Sequence, residues 1–116
     1  MVGLSLLAEP AVAHIAIGGA VPNDGSWAHY TVTRCAEIWD GPQMSITSWP
    51  GTALHAYVRD PWSGQPLGPT NTSSVGDGSW KQYGPLAFGQ CFRISARKNE
   101  NWWNWGTSNW SATLHF

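Results

Sequence analysis

Residues 99–110 read Asn-Glu-Asn-Trp-Trp-Asn-Trp-Gly-Thr-Ser-Asn-Trp and hold four of the chain's nine tryptophans, interleaved with four asparagines. Sugar rings stack their C–H faces on indoles, and amide side chains hydrogen-bond sugar hydroxyls. Trp102, Trp103 and Trp105 beside Asn101 and Asn104 supply both kinds of partner. Trp62, set in a Pro/Gly/Ser/Thr-rich stretch with no apolar neighbours, is a further ring of the same type. An exposed indole leaves a large apolar surface in water unless something covers it. The structural alternative is that the segment folds back and its rings plug one end of the fold. A third use is contact with a lipid headgroup layer, where tryptophan prefers to sit, with Arg93, Arg97 and Lys98 close in sequence. The low count of basic residues argues against strong binding to anionic lipid.

Other chemistry is sparser. Among the carboxylates after residue 13, Asp24, Asp40, Asp60 and Asp77 each adjoin Gly or Pro, where a short carboxylate caps a turn. Glu37 and Glu100 fall outside that explanation, and a glycosidase needs two carboxylates facing one cleft, which spacing alone does not establish. The chain has no nucleophile-elbow serine, no zinc-protease histidine pair and no Gly-rich phosphate loop. Imidazole is a common metal ligand, yet His55 and His115 fall at strand positions that read as scaffold, alongside His14 and His29. No metal site, cofactor or catalytic residue is expected.

Composition narrows the class. Charged residues are 11% of 116 and the formal net charge is −1, so there is no electrostatic footprint for nucleic acid. Cys35 and Cys91 are too far apart for a metal finger and would pair in an oxidising compartment. Closing so long a loop stabilises a fold by about 4 kcal/mol in the chain-entropy model. Residues 1–13 carry a short apolar run, Pro10, and then Ala11-Val12-Ala13, which fits a small-x-small signal-peptidase site. No basic segment precedes the run and Glu9 interrupts it, as expected of the distal end of a signal peptide; an ordinary apolar strand or helix is the alternative. The first reading makes the mature protein secreted and starts it near His14. Sparse lysine with abundant Gly, Ala and Trp suggests a bacterial source.

The elements that would position these groups are strands. Residues 14–21 alternate weakly, residues 27–38 are rich in β-branched and aromatic side chains, and residues 44–49 and 53–58 form two more candidates. Residues 61–78 read as one long loop. Strand character resumes at 79–83 and 86–88, is clearest at 91–97 with Phe92, Ile94 and Ala96 inward, and ends at 110–116. No helical period is sustained. The expectation is one all-β domain over 14–116, an antiparallel sandwich or closed barrel of about seven or eight strands.

Asp24-Gly25-Ser26-Trp27 recurs as Asp77-Gly78-Ser79-Trp80, followed in the same order by Tyr30 and Tyr83, Cys35 and Cys91, Trp49 and Trp110, and Leu54-His55 and Leu114-His115. Either two pseudo-symmetric halves descend from a duplication, or a common turn and an abundant residue recur by chance. Tryptophans matched across the halves read as scaffold; Trp39, Trp62, Trp102, Trp103 and Trp105 are unmatched. The expected activity is non-enzymatic binding of a polysaccharide or cell-surface glycan through the unmatched rings. The alternative is a secreted protein-binding inhibitor, or a membrane-active, bacteriocin-like antagonist.

Overall fold

The computed structural model describes residues 14–99 and 105–116, which build an all-β domain of two antiparallel sheets. Nine strands lie among the described residues: β1 (His14–Pro22), β2 (Ala28–His29), β3 (Arg34–Cys35), β4 (Gln43–Ser48), β5 (Ala53–Arg59), β6 (Asn71–Ser74), β7 (Trp80–Gln82), β8 (Cys91–Lys98) and β9 (Thr107–His115). One sheet has the order β1-β9-β4-β7; the other has the order β2-β8-β5-β6, with β3 also on β8. No closed barrel forms among these residues, and the arrangement is that of a sandwich.

Period-two alternation puts the core between the sheets. From one side come Phe92, Ile94 and Ala96 of β8 with Leu54, Ala56 and Val58 of β5; from the other come Trp110, Ala112 and Leu114 of β9 with Met44 and Ile46 of β4. All are essentially excluded from solvent. Lys98 continues the inward series of β8 and is fully buried, so it does not belong to an exposed basic patch. Ser95 points away from the core but is also buried, because the guanidinium of Arg59 and the ring of His29 cover it with hydrogen bonds of 2.8 and 2.6 Å to its hydroxyl.

The structure departs from the strand pattern in three places. Residues 27–38 form two short strands instead of one long one. Between them Tyr30 turns its side chain across to the other sheet, where its hydroxyl donates to the Ala20 carbonyl and accepts the indole N–H of Trp110, both at 2.8 Å. Glycine at position 19 makes room for this ring, since a Cβ there would lie 2.6 Å from Tyr30 Cε1. Arg59 holds the Tyr30 carbonyl at 2.8 Å and the Ile94 carbonyl at 2.8 Å, clamping the broken strand to β8. Second, the stretch read as a loop from 61 to 78 contains β6, a polar edge strand that turns only Ser73 inward and so shows little apolar pattern. Third, residues 86–88 are not a strand: Leu86 is buried, but its amide bonds Gly41, and Ala87 starts a turn closed by the Gln90 amide.

Both Asp-Gly-Ser-Trp stretches make the same local turn. Asp24 Oδ1 accepts the Ser26 amide at 2.9 Å, and Asp77 Oδ1 accepts the Ser79 amide at 3.2 Å. Cys35 and Cys91 face each other on the paired strands β3 and β8 and are joined in a disulfide that cross-links these neighbouring strands at one end of their sheet.

Two outcomes test this account. Tyr30→Phe strands the buried Trp110 N–H and should lower unfolding stability by about 1–3 kcal/mol in urea titrations, with far-ultraviolet circular dichroism unchanged. Replacing both cysteines by alanine should lower it by about 2–4 kcal/mol through the longer free loop in the unfolded chain, also read from urea midpoints.

Candidate functional site

The two ends of the sandwich carry different groups, and strand register says which. On β5 and β8, Leu54 faces Lys98 and Arg59 faces Arg93. The chain therefore leaves β8 towards Trp105 at one end and leaves β5 towards Trp62 at the other. Trp62 and Trp105, grouped together from sequence, lie at opposite ends of the sandwich. Trp102, Trp103, Asn101 and Asn104 lie outside the described residues, as does Glu100.

At the first end the organising residue is Asn23, which the sequence marks only as part of a turn. It is buried, and both its side-chain amide and its backbone N–H are hydrogen-bonded. Its Oδ1 accepts from Lys98 Nζ at 3.2 Å and from Ser108 Oγ at 2.5 Å, its Nδ2 donates to the Trp105 carbonyl at 3.3 Å, and its amide donates to the Gly106 carbonyl at 3.0 Å. Gly106 takes a left-handed conformation (φ 96°), which glycine adopts without steric penalty, where the chain swings into β9. The far side of the segment is held as Asn99 donates its amide to the Ala53 carbonyl and accepts from Thr52 Oγ1. The Trp105 backbone is thus fixed while its indole is 96% exposed.

At the disulfide end, Trp39 and Phe88 are 75% and 60% exposed and touch each other, with ring centroids 5.8 Å apart. The loops that bear them are tied together by Ala36 N to Gln90 O and Gly89 N to Ala36 O. Trp62 is 80% exposed and sits on a turn capped by Asp60, whose Oδ2 accepts the amides of Trp62 and Ser63. Those bonds, Ser63 first, hold the Asp60 carboxyl below its usual range.

The matched tryptophans behave differently from one another. Trp110 is core, Trp49 donates its N–H to the Ser73 carbonyl at 2.8 Å, and Trp27 packs edge-on to Tyr57 beneath the Arg97 guanidinium. Trp80 departs from the scaffold expectation: it is 46% exposed on the outer face of its sheet, stacked on His14 at 5.5 Å. His14 in turn meets His115 at 4.2 Å between centroids. Burial, and then the neighbouring His14, hold the His115 imidazole below its ordinary value. His55 bonds Thr72 at 2.7 Å, and burial, then Arg97, lower its value as well.

No group of three or more His, Cys, Asp or Glu side chains able to hold a metal occurs among the described residues. Glu37 is exposed beside the disulfide. A cleft of about 220 Å³ opens at the side of the sandwich between Ile17, Tyr30, Val32, Arg34 and Trp110. It is smaller than the ~300–1,000 Å³ usual for small-molecule sites. What the surface offers most plainly is flat aromatic area on anchored backbone. No protein-family model, curated protein or solved structure matches the chain.

Asn23→Ala should free the stem of the Trp105 segment. The expected result is a loss of about 1–3 kcal/mol in urea unfolding together with faster amide exchange at residues 105–108. Unchanged exchange there would show that Asn23 does not set the segment's order.

Proposed function

We propose that this chain is a small secreted, non-enzymatic binding protein that takes a polysaccharide or cell-wall polymer by stacking sugar rings on loop tryptophans. Trp105, with Trp102 and Trp103 before it in sequence, is the principal platform. One observation carries the reading: Trp105 holds its indole 96% exposed on a backbone fixed by a buried asparagine. A ring whose backbone is already ordered loses little further freedom when a ligand covers it.

Magnitudes argue for several rings acting together. Covering one indole face removes on the order of 100 Å² from water, or about 2–3 kcal/mol at ~25 cal/mol per Å². Association itself costs ~4 kcal/mol or more in lost translation and rotation. A single tryptophan therefore binds weakly, and three close in sequence, with Asn101 and Asn104 among them, suit a repeating ligand. Asn101 and Asn104 would supply hydrogen bonds to hydroxyls.

A second reading rests on the other end. Trp39 and Phe88 form an exposed apolar pair beside the disulfide, which suits a protein-binding inhibitor or a membrane-active, bacteriocin-like antagonist. Liposome leakage and growth inhibition would reveal it, and those activities would follow Trp39 and Phe88 instead of Trp105.

Alanine at Trp102, Trp103 and Trp105 together should reduce retention on insoluble polysaccharides, tested over cellulose, chitin and peptidoglycan, at least tenfold while moving Tm by no more than a few degrees. Trp62→Ala should leave retention unchanged. The reverse pattern, with Trp62 essential and the triple variant retained, would remove the platform from this end of the molecule.

A further inference from the structure

Apart from the aromatic ends, the outer face of the β1-β9-β4-β7 sheet carries a cross-strand histidine pair. His14 opens β1 and His115 closes β9, directly opposed in the antiparallel register. Their neighbours Ile15 and Leu114 pack in or against the core, so the two imidazoles project from the other face. The rings meet at 4.2 Å between centroids with an interplanar angle of 68°. Trp80 lies against both, at 5.5 Å from His14 and 6.3 Å from His115, and walls off one side.

The pair is unusual among the four histidines. His29 and His55 each share a hydrogen bond, with Ser95 and Thr72. His115 Nδ1 is buried and has no hydrogen-bond partner among the described residues. A buried polar atom left without a partner is destabilising, and such atoms call for an explanation. Gln43, the β4 residue paired with His115, gives its side-chain amide to the Asp40 carbonyl at 3.0 Å and leaves the imidazole unbonded.

We propose that His14 and His115 form a binding site for a divalent transition metal, with copper(II) preferred. Metal–imidazole bonds of about 2.0–2.1 Å set two ligand nitrogens no more than ~4 Å apart, the scale on which these rings already face each other. A third nitrogen is supplied by the chain itself. Cleavage after Ala13, at the small-x-small site, frees the α-amine of His14. That amine and the same residue's Nδ1 close a six-membered chelate on the metal, and His115 adds its imidazole from across the ladder. An all-nitrogen ligand set suits copper(II) and nickel(II), and copper(II) stands highest in the divalent affinity order. The site lies at the His14 and His115 ends of β1 and β9, about 25 Å along the strands from the Trp105 end, so it stands or falls separately from the polysaccharide reading.

The test uses protein recovered from the medium of a secreting bacterial host, with intact mass fixing its first residue, titrated with copper(II) and followed by electron paramagnetic resonance and Tm. The expected result is one copper(II) per chain with nitrogen hyperfine structure and a raised Tm. His14→Ala and His115→Ala should each weaken binding at least tenfold, and His29→Ala should not. Broadening of the His14 and His115 ring resonances by copper(II) reads the same site in the unsubstituted protein, whatever the variants do to folding. Broadening centred on His29 or His55, or wild-type affinity in both single variants, would overturn the site. Chain that keeps residues 1–13 should bind at least tenfold more weakly; equal affinity would strike the α-amine from the ligand set.

Discussion

A buried indole N–H must be given an acceptor, and much of this sandwich is arranged around giving one to Trp110. The ring fills the core from β9, with its N–H directed to the open side between the sheets. Tyr30 supplies the hydroxyl, and three other features follow from its position. Glycine is required at 19 so that the phenol can cross β1, the strand from 27 to 38 has to break, and Arg59 takes up the carbonyl that the break releases. Arg59 reaches that carbonyl over Ser95, which is why a serine on the outer face of β8 is buried. One polar atom in an apolar core thus determines a glycine, a strand break and a buried serine on the far side of the second sheet.

The same accounting explains why the two ends differ. At one end Asn23 answers for Lys98, Ser108 and the Trp105 carbonyl at once, so polar atoms of two separate segments meet on one amide side chain. At the other, the disulfide and the paired loops around Ala36 and Gln90 provide closure. Neither device uses the exposed indoles. Among the described residues, Trp110 fills the core, Trp49 packs against it and Trp27 packs on Tyr57, whereas the indoles of Trp39, Trp62 and Trp105 stand largely in solvent.

Strand existence was largely legible in the sequence, because inward alternation at Phe92–Ile94–Ala96 and Trp110–Ala112–Leu114 is a direct consequence of a half-buried pleat. The disulfide agrees with two cysteines spaced too far apart for a metal finger. What escaped was whatever depended on contacts distant in sequence. A polar edge strand such as Asn71–Ser74 has no apolar period to detect. The break at Tyr30 is set by Gly19 and Trp110, and nothing local to Tyr30 announces it. Asn23 looks like any turn asparagine until Lys98 and Ser108 are brought to it. Trp80 matches Trp27 in sequence, but Trp27 packs on Tyr57 and Arg97 of one sheet while Trp80 lies against the two histidines on the other. Matched places in the sequence do not guarantee equivalent neighbours.

Register also limits what the exposed rings can do together. Trp62 follows the Arg59 end of β5, and Trp105 belongs with the Ala53 end, where Asn99 bonds the Ala53 carbonyl. Six residue steps of extended strand separate those ends, about 20 Å. No mono- or disaccharide spans that distance, so the two rings cannot line one small-molecule pocket. A ligand touching both must be an extended polymer laid along the sandwich; any compact ligand meets one end alone. The fold therefore converts a question about which tryptophans bind into one about ligand length, and it makes the ends separable by substitution because no hydrogen bond described here links Trp62 to the Asn23 cluster.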